Sequence, residues 1–240
     1  MLKAVTNAII SIAFPQQCHV CANSVNDIDD GVACNNCWSQ TRIFSDNESL
    51  CGKCGALLSS TVSKPIAQCH RCDDHLYDRA AAVGVYESAL AKSVLELKKT
   101  PSVPKRLHNL LGDAFDRSQF TTVDLIVPVP LSAKRRVERG FNQAELIANV
   151  LVKETGIPSD LHSLTRKIHT PMHRAAMDRK ARELTVKNAF EIKRPKLIAG
   201  RSVLLVDDIF TSGATASYCA KALKKSGAAK VNVLTLARAN

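Results

Sequence analysis

The sequence predicts an α/β protein: a parallel sheet flanked by helices, preceded by a small cysteine-rich module. Three observations point there. Eight of the nine cysteines fall between Cys18 and Cys72 in four Cys-x-x-Cys pairs. Beyond them, apolar strand-like runs alternate with segments of helical period. Charge divides at the same place, since residues 1–80 hold 6 Lys/Arg against 8 Asp/Glu and residues 81–240 hold 27 against 14. Two domains are therefore expected, 1–80 and 81–240. With 45% hydrophobic and 23% charged residues, the chain can bury a core and is neither disordered nor fibrous. No run reaches the roughly 18 apolar residues of a membrane helix, so no membrane insertion is expected.

At the start, Leu2, Val5, Ile9, Ile12 and Ala13 recur at helical spacing, which suits a short docking helix. An export signal fits poorly: only Lys3 precedes the apolar residues, Thr6, Asn7 and Ser11 interrupt them, and no small-residue cleavage site follows. The pairs are Cys18/Cys21, Cys34/Cys37, Cys51/Cys54 and Cys69/Cys72, separated by 12, 13 and 14 residues. A tight turn presenting two thiolates is half of a tetrahedral site, so four such knuckles hold two structural Zn²⁺ ions. A disulfide framework would need an oxidising compartment; zinc in a reducing cytoplasm is the expectation. Neighbouring knuckles sharing an ion make a double ribbon and interleaved ones a cross-braced fold, and the similar spacings favour the former. His19, His70 and His75 read as spectators beside four complete cysteine pairs, and Trp38 reads as packing over a knuckle rather than a base-stacking platform. Residues 57–68 read as a loop. Such a self-contained module predicts that Cys51→Ser unfolds its own knuckle and leaves the second domain's ligand binding intact.

In the second part, residues 81–86 suit a strand, and Ser88 can cap a helix to about Lys99 that Pro101 and Pro104 end. A second helix is expected over 104–117, then a buried strand over 124–130. Lys134, Arg135, Arg136 and Arg139 follow in a basic loop ending at Gly140, and 141–153 carry a helical apolar face. Over 134–201 there are 16 basic residues against 7 acidic. Such an excess suggests a polyanionic partner, either a phosphorylated small molecule or nucleic acid.

The most informative run is 203–215. Val203 to Val206 make a strand buried on both faces, Asp207 and Asp208 stand where it leaves the sheet, and Thr211, Ser212, Gly213, Ala214 and Thr215 turn into a helix. A short turn at a helix start can aim backbone N–H groups and hydroxyls at one phosphate, aided by the helix dipole. Neither a Gly-Lys-Ser/Thr triphosphate loop nor G-x-G-x-x-G is present. Adjacent carboxylates, as acceptor-only groups, suit the vicinal hydroxyls of a ribose.

This run resembles the 5-phosphoribosyl 1-pyrophosphate (PRPP) motif of type I phosphoribosyltransferases. The chain as a whole resembles the ComF (competence protein F) family, in which a double zinc ribbon precedes a phosphoribosyltransferase-like domain. The similar pieces are the cysteine pairs, residues 127–130, 139–143, Arg182, 188–190 and 203–215. The resemblance implies that Asp207 and Asp208 hold the ribose hydroxyls and 211–215 the 5′-phosphate. It also implies that Lys134, Arg135, Arg136 and Arg139 face the pyrophosphate with Mg²⁺, and that 166–187, with Arg182, is a mobile loop. His173 stands where the family has glutamine, and His162 and His169 read as surface residues. Enzymes of this fold displace magnesium pyrophosphate at the ribose C1; the resemblance supplies no acceptor here. Three readings follow: a cytoplasmic protein of DNA uptake and transformation that engages single-stranded DNA and competence or DNA-processing proteins, a nucleobase salvage phosphoribosyltransferase, or a non-catalytic PRPP sensor.

Overall fold

The computed structural model describes residues 16–58, 69–120, 122–167 and 189–239. The expected N-terminal helix, most of the 57–68 loop, and Arg182, His169, His173 and Asn188 lie outside these residues.

Strands β1 (Gln16–Gln17) and β2 (Ser24–Val25) pair antiparallel around the first knuckle, and α1 (Asn35–Ser39) carries the second. There follow β3 (Arg79–Val85), α2 (Ser88–Glu96), α3 (Lys105–Ser118), β4 (Leu125–Pro128), α4 (Ala133–Arg139) and α5 (Gln143–Thr155). A small antiparallel pair, β5 (Leu164–Arg166) with β6 (Phe190–Ile192), precedes β7 (Ser202–Phe210), α6 (Ala214–Lys225) and β8 (Lys230–Arg238). The main sheet is parallel throughout, in the order β3-β8-β7-β4.

Parallel strands need cover on both faces, so β7 and β8 are apolar nearly throughout. Alternation sorts them: Leu204, Val206, Leu234 and Leu236 pack with α2, α3 and α5, whereas Val203, Leu205, Val231 and Val233 pack with α6. Each fully buried Leu or Val of this set stabilises by about 1.5–3 kcal/mol.

The cysteine module divides between the same two cores. Cys18, Cys34, Cys37 and Trp38 join the α3/α5 side, and Cys51, Cys54, Cys72 and Tyr77 the α6 side. It thereby straddles the edge of β3 that β8 leaves unpaired. Phe44 N donates to Val83 O (2.9 Å), Val85 N to Arg42 O (2.9 Å) and Ala80 N to Lys53 O (2.7 Å). An open edge of unpaired N–H and C=O groups is closed in this way. The module is thus packed along the edge of β3 and into both cores.

Two local expectations differ from the structure. Ser88 does not cap α2; its φ is 44° and its hydroxyl turns toward Cys37 O (3.4 Å), while Thr41 Oγ1 accepts from Ala89 N (3.2 Å). The cap is supplied from the zinc module, which no local pattern reveals. The basic loop is a helix, α4: Ser132 Oγ accepts from Arg135 N (3.4 Å), Lys, Arg and Glu favour helix, and Gly140 ends it at φ 81°.

Gly84 lets the module approach, because a Cβ there would stand 2.4 Å from Arg42 O and 3.1 Å from Ile43 Cα. Gly84→Ala should therefore lower the melting temperature, costing about 1–3 kcal/mol. Gly112→Ala, inside α3 with nothing within 4 Å of the new methyl, should stabilise by about 0.5–1 kcal/mol in the same thermal denaturation.

Candidate functional site

Two four-cysteine zinc sites are present, one of Cys18, Cys21, Cys34 and Cys37, the other of Cys51, Cys54, Cys69 and Cys72, each with all sulfurs within 4.8 Å of one another. Sulfur separations are 3.7 Å for Cys18/Cys37, Cys21/Cys34 and Cys51/Cys72, and 3.5 Å for Cys54/Cys69. A zinc tetrahedron with bonds of about 2.3 Å has edges of about 3.8 Å. A disulfide would bring two sulfurs to about 2.05 Å. Neighbouring knuckles therefore share each ion. Backbone N–H groups of Val20 and Cys34 face Cys18 Sγ (3.4 and 3.3 Å), and that of Cys69 faces Cys51 Sγ (3.3 Å), as thiolate ligands require. The hydrogen bond between Cys51 and Cys54 draws the Cys51 thiol down and pushes that of Cys54 up. A bound divalent ion favours the thiolate form of both. Among the described residues no histidine joins either set. Trp38 is buried, donates from Nε1 to Asp30 O (3.0 Å) and lies under the Arg106 guanidinium at 5.0 Å, as packing.

The second feature is a crevice at the carboxyl end of the sheet. β4 ends at Pro128, opposite Val206, but β7 runs on to Phe210. Asp207 and Asp208 are therefore still within β7, paired with β8 on one side (Asp207 opposite Thr235) and past the end of β4 on the other. The sequence had suggested that the strand leaves the sheet at these carboxylates. Helix α5, after β4, packs on one face and α6, after β7, on the opposite one. Where successive connections part in this way, a ligand crevice opens. Asn142 pins its far wall: Nδ2 donates to Val129 O (3.0 Å), and Oδ1 accepts from Ala144 N to cap α5 (3.1 Å).

At its other side, 211–215 forms the turn into α6. Gly213 is the N-cap at φ 78°, and the helical ladder begins with Ser217 N donating to Gly213 O (2.8 Å). The N–H groups of the first turn thus point out of the helix end. Thr211 is exposed, and Ser212 and Thr215 are partly so.

Cations gather around the two carboxylates. Lys98 Nζ lies 3.3 Å from Asp208 Oδ2. Burial lowers the Arg139 pKa and the Asp208 charge opposes that, while its Nη1 is buried with no hydrogen-bond partner among the described residues. Arg166 is likewise lowered by burial and by Arg135, against the pull of Asp207. Burial and the neighbouring Asp208 raise the Asp207 carboxyl well above the usual range. Of the basic residues singled out above, Arg139 feels the Asp208 charge, and Arg135 lies near enough to Arg139 and Arg166 to act on both. Lys134 pairs with Glu138 (3.9 Å) and Arg136 with Glu145, both on the outer surface. Lys98 and Arg166 were not singled out as site residues from sequence; each is one cation among many, with no motif around it. His75, taken for a spectator, is buried with Nδ1 on the Tyr77 hydroxyl and contacts Gly213.

The double zinc ribbon domain family matches residues 9–74 and the phosphoribosyl transferase domain family residues 96–240. Competence protein F of Haemophilus influenzae is 28% identical over 94% of this chain and 98% of its own length. DNA utilization protein YhgH of Escherichia coli K12 is 31% identical over 85% of this chain and 89% of its own. The chain belongs to the competence protein F family. Competence protein ComFC of Bacillus subtilis, 36% identical over 48% of this chain and 44% of its own, is a further relative. In this competence protein F relative, the zinc ribbons and the phosphoribosyltransferase-like domain share the two cores described above. Among the described residues no helix is long and apolar enough to cross a membrane.

Protein purified under reducing conditions should carry two zinc ions per chain by elemental analysis, and alkylation should modify Cys219 only after unfolding, since it is fully buried. Four disulfides by mass spectrometry, without metal, would contradict this.

Proposed function

We propose that the crevice binds PRPP with Mg²⁺ and that the protein acts on single-stranded DNA in DNA uptake and transformation, in the cytoplasm. The observation that carries the first part is the gathering of Lys98, Arg139 and Arg166 around Asp207 and Asp208, beside the open end of α6. A ligand for such a site needs hydroxyl donors for the carboxylates and anionic groups for the cations, and a phosphorylated, pyrophosphorylated ribose has both. Asp207 and Asp208 take the 2′- and 3′-hydroxyls, and 211–215 take the 5′-phosphate. Arg139 and Arg135 reach the pyrophosphate, whose remaining charge Mg²⁺ neutralises, since that ion favours phosphate oxygens and water. The division into 1–80 and 81–240 is part of the same reading: the first supplies metal-held scaffold, the second the ligand.

The DNA part draws on the names of the relatives, and on α4. Its outer face presents Lys134 and Arg136, with side chains 64% and 50% exposed, around the exposed Val137. A basic, sequence-indifferent surface of this kind suits a phosphate backbone.

Asp207→Asn and Asp208→Asn replace acceptor-only groups with amides, and each should weaken PRPP binding about 10- to 150-fold by calorimetry with Mg²⁺. Their unliganded stabilities should differ. A carboxyl whose pKa is raised by folding stabilises only below its unfolded value, near 4, and that contribution is lost as pH rises through the folded value. At pH 7 Asp207 is therefore unfavourable to the fold, and Asp207→Asn should melt at or above the parent. Asp208→Asn leaves Lys98 without its carboxylate and should melt slightly lower. Unchanged PRPP affinity in both would remove the ribose assignment.

Single-stranded DNA binding should fall on a log–log salt plot with a slope of about −0.7 per phosphate neutralised, with little dependence on sequence. Lys134→Ala with Arg136→Ala should flatten that slope. A salt-insensitive parent would exclude the DNA part.

A further inference from the structure

We propose that the second zinc ribbon is a working part of the phosphate turn: zinc held by Cys51, Cys54, Cys69 and Cys72 fixes His75 and Arg238 against Gly213 and Phe210, and so sets affinity for a ligand's phosphate. The inference rests on the reading of 211–215 as a phosphate cradle, and adds to it a positioning residue, His75, and a dependence on metal.

The connection is continuous from the sulfurs to the turn. His75 N donates to Cys72 O (3.1 Å), which ties the histidine to the last zinc ligand. Its ring is buried, with Nδ1 on the Tyr77 hydroxyl. A Cβ on Gly213 would lie 2.6 Å from His75 Cε1 and 2.7 Å from Phe210 Cζ, so both rings pack directly on the turn's backbone. Tyr77 meets Phe210 edge-on, with ring centroids 5.9 Å apart. From a second direction, Arg238 donates to Cys54 O (2.6 Å), its Nη2 lies 3.5 Å from Cys54 Sγ, and its guanidinium sits 4.6 Å over Phe210. Just beyond the turn, Leu76 N donates to Ser217 Oγ (3.0 Å), joining the ribbon to the first turn of α6. The first zinc site has its contacts in the other core and meets α2 instead.

A phosphate cradle works by the direction of its N–H groups, and an error of about 1 Å in such positioning can cost about a hundredfold. Residues 73–77 form no helix or strand, so His75 is placed by tertiary contacts, of which the hydrogen bond to Cys72 is the one that leads to the ion. Without the ion, four crowded thiols lose their common centre, and the backing of Gly213 goes with them.

The test uses ribose 5-phosphate, which probes the cradle without pyrophosphate, alongside PRPP, in calorimetry on the full chain. Hydrogen exchange of the amides of 211–217 is measured on the same samples. His75→Ala should keep two zinc ions, bind ribose 5-phosphate about tenfold more weakly or worse, and exchange faster at 211–217 while α5 exchanges as in the parent. Cys51→Ser should lose one zinc ion and show both effects more strongly. Parent-like affinity and exchange in His75→Ala overturn the proposal, and that variant decides if Cys51→Ser fails to fold. If the parent binds neither ligand, the phosphate reading itself falls. The exchange measurement then still decides whether the ribbon holds the turn.

Discussion

The structure depends on β7 being longer than its neighbour β4. Nine residues of β7 face four of β4, and four of the five surplus residues, 207–210, lie at the carboxyl end. Val203 to Val206 are surrounded on all sides and fix the strand in the middle of the sheet, so the chain beyond them is held rigidly although one flank is open. Two carboxylates placed on that rigid overhang have ordered positions and an accessible edge. Their mutual repulsion and burial would be unfavourable anywhere in the fold; here Lys98 pairs with Asp208, and Arg139 and Arg166 oppose the repulsion only in part, since the Asp207 carboxyl stays well above its usual range. The cations come from three separate elements, and the sheet is what brings them together.

The zinc ribbons serve that sheet as much as themselves. A module of this length cannot bury enough apolar surface to fold on its own without a staple. Each ion supplies one, and each set of cysteines then contributes apolar surface to a different face of the sheet. The module therefore blocks strand addition at β3, caps α2 through Thr41 and backs the turn at Gly213 through His75. These three services explain why its glycine contacts are so close, with Gly55 positioned against Ala80 O as Gly84 is against Arg42 O.

Much of this was legible in the sequence, wherever the signal was local. The four knuckles announce themselves by spacing, although only three-dimensional proximity pairs Cys21 with Cys34 and Cys54 with Cys69. The apolar run before Asp207 and Asp208 announces a central strand because both of its faces are covered. What could not be read was tertiary. Thr41 accepts from Ala89 N, 48 residues later in the chain, so Ser88 was the natural local choice. Lys98 finds Asp208 across the fold, and nothing distinguishes it from Lys99, which pairs weakly with Glu96. Helix α4 was hidden by its charge: a dense basic run resembles a loop until Ser132 and Gly140 are seen as its caps. His75 is no zinc ligand, as its place beside full cysteine sites implies, but its packing on Gly213 is a contact across 138 residues that no local pattern carries.

The contact between Arg238 and Cys54 spans 184 residues of chain. During synthesis at about 5–20 residues per second, roughly 10–40 s separate the emergence of the ribbon from that of the strand it packs on. Each knuckle pair is local enough to capture its ion at once. Both β3 and the apolar sides of the ribbons must then wait for β8, which inserts between β3 and β7. The nascent chain thus carries metal-closed loops with uncovered apolar surface and an unpaired strand throughout that interval, a state that invites chaperone binding. Completion of the central sheet by β8 then assembles the crevice and its backing together.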